Sequence, residues 1–392
     1  MNVSSTLFSK TIKQDFIEKN IPFFDGGLGE NPLPQPQVLI DTVKKYSSRK
    51  EYTDAKGIKE LREYLGDKVI VGNGLKPLIF LLQLAFSKLY PNGIIYHIVP
   101  YWVSYSEQTN ILSLNTKKIV PDDKINFKIT TQDLINNLDK DIPHLIIFNN
   151  PNNPSGCLYT KTEIQQLSVV FKNYNSIVFC DDIYEHIVHN DKLSEFGQLK
   201  NYYNKVIIGS SLSKLVACGG YRLGWLSFKS DELNALHNLC NILASSIYSC
   251  PSIMFQYVAL KTLEMGQEIT KFLTFQRNMF TKIKQYIIDR LKNTNLLFSD
   301  SAASWYILLN FDNYKDKLIK INIVSADDLF KYLLKKHKII MVSGENFGIN
   351  DSLILRYSYI DISNIDVSKQ KFNFKRIVEL FDVLLNWLDN LN

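Results

Sequence analysis

A lysine, two serines and an arginine lie close together in SSLSKLVACGGYRLGW, residues 210–225. Ser211, Ser213 and Lys214 precede Arg222 by eight to eleven residues, with Gly219 and Gly220 between them. A bound phosphate needs a permanent cation, hydroxyl donors and close backbone approach, and this stretch holds all three. A lysine amine beside such a phosphate forms an imine with an aldehyde once its surroundings lower its pKa. The run KVIIG (205–209) just before it reads as a strand. That puts the group at a strand's carboxyl end, where open α/β sheets bind ligands. Taken alone, a polar turn with a surface lysine is the simpler reading.

Two further segments follow the same logic. NNPNNPSG (149–156) comes directly after the strand-like HLIIFN, and its two Asn-Pro steps and glycine force a tight, extended turn. Such a turn aims the Asn153 amide at a ligand oxygen, or is only a loop. CDDIYEHIVH (180–189) ends the apolar run SIVFC. An acid emerging from a buried strand must be paired, and a pyridinium N–H is such a partner for Asp181. Tyr184 then falls within reach of the same ligand. Standing alone, the segment is a pair of surface acids with a core tyrosine.

The elements that must position these residues are short apolar runs between amphipathic stretches. The runs are residues 68–72, 94–99, 144–149, 176–180, 205–209 and 225–228, and helical patterns cover 76–90, 161–174 and 231–245. Strands without polar alternation, separated by helices, predict an α/β fold with a mostly parallel sheet sandwiched by helices. After about residue 285 the pattern changes to a strand at 305–311, a helix at 326–336, short runs at 338–342 and 353–358, and a helix at about 370–391. This predicts a smaller α+β domain. The expected division is 1–45 as an N-terminal arm and part of the small domain, 46–285 as the large domain and 286–392 as the small one.

Composition narrows the class. Hydrophobic residues make up 45% and charged residues 21%, ordinary for a globular enzyme. No apolar run is long enough to span a bilayer, and the N-terminus lacks a signal-peptide pattern, so a cytoplasmic protein with no membrane partner is expected. The five cysteines are scattered, with no CxxC pair, which reads as reduced thiols. The six histidines show no HExxH spacing and predict no metal site; His186 and His189 read as a satisfied or surface pair. A net charge of +6 spread along the chain, without a basic tract, predicts no nucleic-acid partner. Only seven residues are arginines, so the positions of Arg222 and Arg356 carry information.

In combination the motifs resemble the class I aminotransferases of the aspartate-aminotransferase type, pyridoxal-phosphate enzymes of fold type I. The family pattern N-P-x-G, D-x-x-Y, then S-x-S-K with an arginine eight residues beyond the lysine occurs here in order. It reads Asn153-Pro154-Ser155-Gly156, Asp181-Asp182-Ile183-Tyr184, Ser211-Leu212-Ser213-Lys214 and Arg222, with 28 residues from Asn153 to Asp181. VGNGLKP, PYWVSY, EYTDAKG, GENP and LRYS extend the likeness over most of the chain.

The resemblance implies pyridoxal 5′-phosphate held as a Schiff base on Lys214, with Asp181 on the ring nitrogen, and Tyr184 and Asn153 beside the ring. It assigns Ser211, Ser213, Arg222 and the backbone amides of Leu75 and Lys76 to the phosphate, and Trp102 to stacking on the ring. Tyr52 would reach the phosphate of a neighbouring subunit, which implies a homodimer. Gly29, Asn153 and Arg356 would lie around the substrate carboxylate. The implied reaction moves an amino group between an L-amino acid and a 2-oxo acid by a ping-pong mechanism, with another pyridoxal-phosphate reaction (a β-lyase, decarboxylase or cyclase type) as the alternative.

A non-enzymatic ligand-sensing module of this fold would want an added helix-turn-helix domain, for which the first 30 residues leave no room. A nicotinamide dehydrogenase would want G-x-G-x-x-G, which VGNGLKP does not supply. The pattern departs from the family at residues 343–348, which lack the usual proline, and at Ala303-Ser304-Trp305-Tyr306, where G-x-F-Y is usual. Both departures bear on the substrate pocket.

Overall fold

The computed structural model describes residues 5–391, so the ends of the expected first and last segments, residues 1–4 and 392, lie outside it. Its largest sheet has seven strands. They are β1 (Val69–Gly72), β2 (Ile94–Ile98), β3 (Thr116–Ile119), β4 (His144–Asn149), β5 (Ile177–Asp181), β6 (Val206–Ser211) and β7 (Gly224–Phe228). The spatial order is β1-β7-β6-β5-β4-β2-β3, and only β7 runs against its neighbours. Apart from β3, every residue of these strands is buried, which is why their sequences do not alternate.

Strand β3 escaped the sequence reading. Its TKKI exposes Thr116, Lys117 and Lys118 at the sheet edge, where lysines discourage pairing with another chain. An edge strand with one buried residue leaves no apolar run to detect.

Helices cover both faces. Helix Leu75–Leu89 turns Leu78, Ile79, Leu82, Ala85 and Phe86 inward, each such side chain contributing roughly 1–3 kcal/mol of burial. Helix Lys161–Asn173 covers the other face with Ile164, Leu167 and Phe171. It starts where Thr160 and Glu163 form a reciprocal capping box. The helix expected at 231–245 begins with a tight turn over Asp231–Leu233 and is regular over Asn234–Tyr248.

A second sheet contains β8 (Leu297–Phe298), β9 (Tyr306–Asn310), β10 (Val342–Ser343) and β11 (Ile354–Ser358) in the antiparallel order β10-β11-β9-β8. Helix Gln267–Leu291 runs without a break through residue 285 and carries the chain toward this sheet. The last helix is shorter than expected, Lys375–Asp389. Residues 371–373 instead pair with Ser363–Asp366 in a small hairpin, and the Asn373 side chain accepts the Lys375 N–H at 2.8 Å, closing the helix start. Near the N-terminus, Phe24–Asp25 pairs parallel with Ile339–Ile340. Gly26 N–H then donates to the Ile340 carbonyl and its own carbonyl accepts from Ser358 N, both at 2.9 Å. This pins residues 26–31 between the two sheets. Among the described residues, no helix is long and apolar enough to cross a membrane.

Candidate active site

The floor of the site is set by strand register. Asn149 and Asp181 end adjacent parallel strands and face each other, and Asp181 in turn faces Gly209 on β6. The Asn149 amide donates to the Asp181 carbonyl at 2.8 Å, while its oxygen accepts the Asn153 N–H at 2.7 Å. One side chain thus fixes both the strand end and the Asn-Pro turn.

The Asp181 carboxylate is fully buried. It accepts from the Tyr105 hydroxyl at 2.5 Å and from Ile183 N at 3.2 Å, and among the described residues it joins no ion pair. Burial raises its pKa to about 6, against the lowering effect of those two hydrogen bonds. Such a carboxylate is poised for a protonated nitrogen.

The wall comes from the end of β6. Ser211 caps the one-turn helix Leu212–Leu215, its Oγ accepting Ser213 N–H at 3.2 Å, and this points Lys214 into the site. Lys214 Nζ donates to the Gly29 carbonyl and lies 5.4 Å from the centre of the Trp305 ring. Burial lowers its pKa; Tyr306 and Glu30 oppose this, and Arg356 and Arg222 add to it. Its backbone carbonyl accepts from Asn31 Nδ2 at 3.1 Å.

Arg222 sits in the left-handed region, φ 53°, and its Nη1 donates to the Gly219 carbonyl at 2.9 Å. Gly74, φ 93°, precedes helix Leu75–Leu89 with no side-chain cap, and a Cβ there would strike the Arg222 guanidinium. A Cβ at Gly224 would stand 2.6 Å from Leu75 N. The two glycines therefore let an uncapped helix N-terminus and a guanidinium converge, the chemistry of a phosphate cradle. Lys76, its pKa lowered by burial, holds its ammonium 4.8 Å from the Trp102 ring centre.

The roof joins both sheets. Arg356, on β11, is 1% exposed. Its Nη1 donates to Asn153 Oδ1 at 3.2 Å and its Nη2 to the Gly27 carbonyl, while Nε has no partner. The guanidinium lies 4.7 Å from the centre of the Tyr306 ring and 5.1 Å from that of Phe347. Burial lowers its pKa, and no carboxylate of the described residues pairs with it. A buried cation in that state is a site for an incoming carboxylate.

These pieces surround one cavity of about 660 Å³. It is lined by Gly29, Leu75, Lys76, Trp102, Asn153, Asp181, Tyr184, Ser211, Ser213, Lys214, Arg222 and Arg356, all candidates from the sequence. Tyr52 is not among them; it stands 88% exposed on a loop. Sequence reasoning missed Tyr105, one helical turn beyond Trp102, and Asn31 inside GENP. It named Tyr306 only within the segment 303–306 and gave it no role of its own. His189 is buried, with Nδ1 2.9 Å from the Ser301 carbonyl and Nε2 3.1 Å from that of Ser304.

The residues fit pyridoxal phosphate. A buried acid with no ion-pair partner among the described residues suits its ring nitrogen, the Gly74–Arg222 cradle suits its phosphate, and Lys214 lines the same cavity with its pKa lowered by burial.

An aspartate aminotransferase of Thermotoga maritima is 25% identical over 368 residues, 88% of this chain and 90% of that protein. A probable aspartate aminotransferase of Methanocaldococcus jannaschii is 27% identical over 85% of this chain and 88% of its own length. The solved aspartate aminotransferase of Thermus thermophilus with maleate superposes with a TM-score of 0.82, 19% identity and 97% of each chain covered. An aromatic aminotransferase from Pyrococcus horikoshii gives 0.78 at 20% identity, covering 95% of this chain and 98% of that one. At such identities the structures establish the fold, which is that of the pyridoxal-phosphate enzymes of fold type I. The sequence model of aminotransferase class I and II matches residues 27–368, so the chain belongs to that family, enzymes that transfer amino groups with pyridoxal phosphate.

Proposed function

We propose that the cavity binds pyridoxal phosphate and exchanges amino groups between an L-amino acid and a 2-oxo acid, with Lys214 as the catalytic residue. The observation that supports this most is the meeting in one cavity of three ionisable groups that join no ion pair among the described residues: Asp181, Lys214 and Arg356. When bound, pyridoxal phosphate supplies an aldehyde for amine exchange and a ring that accepts electrons. Arg356 clamps the substrate α-carboxylate, with Asn153 and Gly29 bounding that end of the cavity. Asp181 holds a proton on the ring nitrogen. Lys214 Nζ removes the proton from the substrate Cα and returns one during transfer. Ser211, Ser213, Arg222 and the amides of Leu75 and Lys76 hold the phosphate. Trp102 would stack on the ring, and Tyr184 would hold its 3′-oxygen.

The first substrate to test is aspartate, the donor named for the relatives. Lys76 is the cation lining the cavity that these roles leave with a free side chain, and it suits a second carboxylate. The same reading makes the protein a cytoplasmic homodimer in which the exposed Tyr52 completes the partner's phosphate site. It also takes 46–285 as the large domain, 286–392 as the small one and 1–45 as an N-terminal arm and part of the small domain. A half-reaction screen tests the core of the proposal. Absorbance of the purified, cofactor-loaded protein is followed as single amino acids are added. A shift with aspartate, reversed by a 2-oxo acid, is expected; a spectrum unmoved by every amino acid overturns it.

A further inference from the structure

Tyr306 opens β9 on the sheet that also carries Arg356, and it is 2% exposed. Its hydroxyl lies 2.9 Å from the Tyr184 hydroxyl, and the two rings meet edge to face, centres 5.6 Å apart at 87°. The Arg356 guanidinium lies over its ring at 4.7 Å. Below, a Cβ on Gly29 would collide with the Tyr306 hydroxyl, so that glycine makes room for it. Its carbonyl is held by Ser301 Oγ at 2.7 Å, and Ser304, φ 62°, turns the chain just before it. Among the described residues the phenol thus has one hydrogen-bond partner, Tyr184.

We propose that Tyr306 is a positioning residue that makes Tyr184 a stronger hydrogen-bond donor to the cofactor's 3′-oxygen. The inference rests on the cofactor site proposed above. A phenol carries one proton. If Tyr184 gives its proton to the 3′-oxygen, the 2.9 Å contact requires Tyr306 to be the donor to Tyr184. A phenol that accepts a hydrogen bond donates a stronger one. The cation over the Tyr306 ring favours donation further by drawing electron density from its hydroxyl. Stronger donation to the 3′-oxygen withdraws charge from it and weakens the hold on the proton of the nitrogen joined to Lys214. Tyr306 therefore lowers the pH at which that proton is lost.

The test is a pH titration of the visible absorbance of the cofactor-loaded protein. Tyr306→Phe, which removes one oxygen, should raise the midpoint by about 0.5–1 pH units, the equivalent of one ordinary hydrogen bond. Tyr184→Phe should raise it as well, and adding Tyr306→Phe to that variant should raise it no further, because the relay is already cut. Placing 3-fluorotyrosine at position 306 makes the phenol a better donor with little change of shape. It should move the midpoint down, which keeps the inference testable if Tyr306→Phe folds poorly. An unchanged midpoint in Tyr306→Phe, or shifts that add fully in the double variant, overturns the relay while leaving the cofactor site standing. A wild-type protein that takes up no absorbing cofactor overturns the site and the relay together.

Discussion

The Tyr105 hydroxyl donates a 2.5 Å hydrogen bond to the Asp181 carboxylate, deep in a pocket where that carboxylate has no cation beside it. The folded protein thus carries an acid whose pKa stands at about 6, above its ordinary 3.8, because burial outweighs its hydrogen bonds. A folded-state pKa above the unfolded value means that the folded state binds the proton more tightly. Stability from this group is therefore complete below about pH 4 and is lost as pH rises to about 6. The loss amounts to about 3 kcal/mol at most. Cofactor-free Asp181→Asn should lack this decline and unfold at higher temperature than wild type at pH 7. The same variant, saturated with cofactor, should lose most of its turnover. Parallel stability–pH curves for the two proteins would show that Asp181 is not the strained group.

Lys214 is expected to carry the cofactor. Borohydride treatment should fix a single pyridoxyl group on that residue, read by mass spectrometry of the digest. Lys214→Ala should still bind cofactor through Arg222, Ser211 and the helix N-terminus, yet turn over at least about 1,000-fold more slowly. A reduced adduct on any other lysine would falsify the whole assignment.

Lys76 offers a test of substrate choice. Its ammonium lies at the cavity wall over Trp102, so removing it should weaken acidic substrates and spare neutral ones. Lys76→Ala is expected to lower kcat/KM for aspartate by about tenfold, one charge-assisted hydrogen bond, with little change for alanine. Equal losses for both amino acids would instead mean that Lys76 serves the cofactor.

Tyr52 bears on assembly. It is 88% exposed and does not line the cavity of its own chain. Tyr52→Ala and Lys214→Ala should each be impaired. In a mixed two-fold dimer one site collects both lesions and the other is rebuilt from intact parts. Mixing the two under conditions of subunit exchange should therefore restore part of the activity. Confirmed exchange with no gain over the separate variants would remove Tyr52 from the site.

Read on its own, the sequence determined six of the seven strand runs of the large sheet and the order of its motifs, and the resemblance those motifs carry named the cavity candidates from Gly29 to Arg356. The motifs at 149–156, 180–189 and 210–225 were readable because each begins at the end of a buried strand, and buried strands and tight turns leave local signatures in composition and spacing. Tertiary structure alone decided the rest. Tyr105 meets Asp181 across 76 residues of chain, Asn31 meets the Lys214 carbonyl across 183, and Tyr306 meets Tyr184 across 122. Nothing local marks those partners, because a buried tyrosine or asparagine looks the same in the sequence whether it faces core or cofactor. Strand β3 and the hairpin at 363–373 were hidden for a related reason. Their residues are largely exposed, so the pairing that orders them leaves no apolar pattern to read.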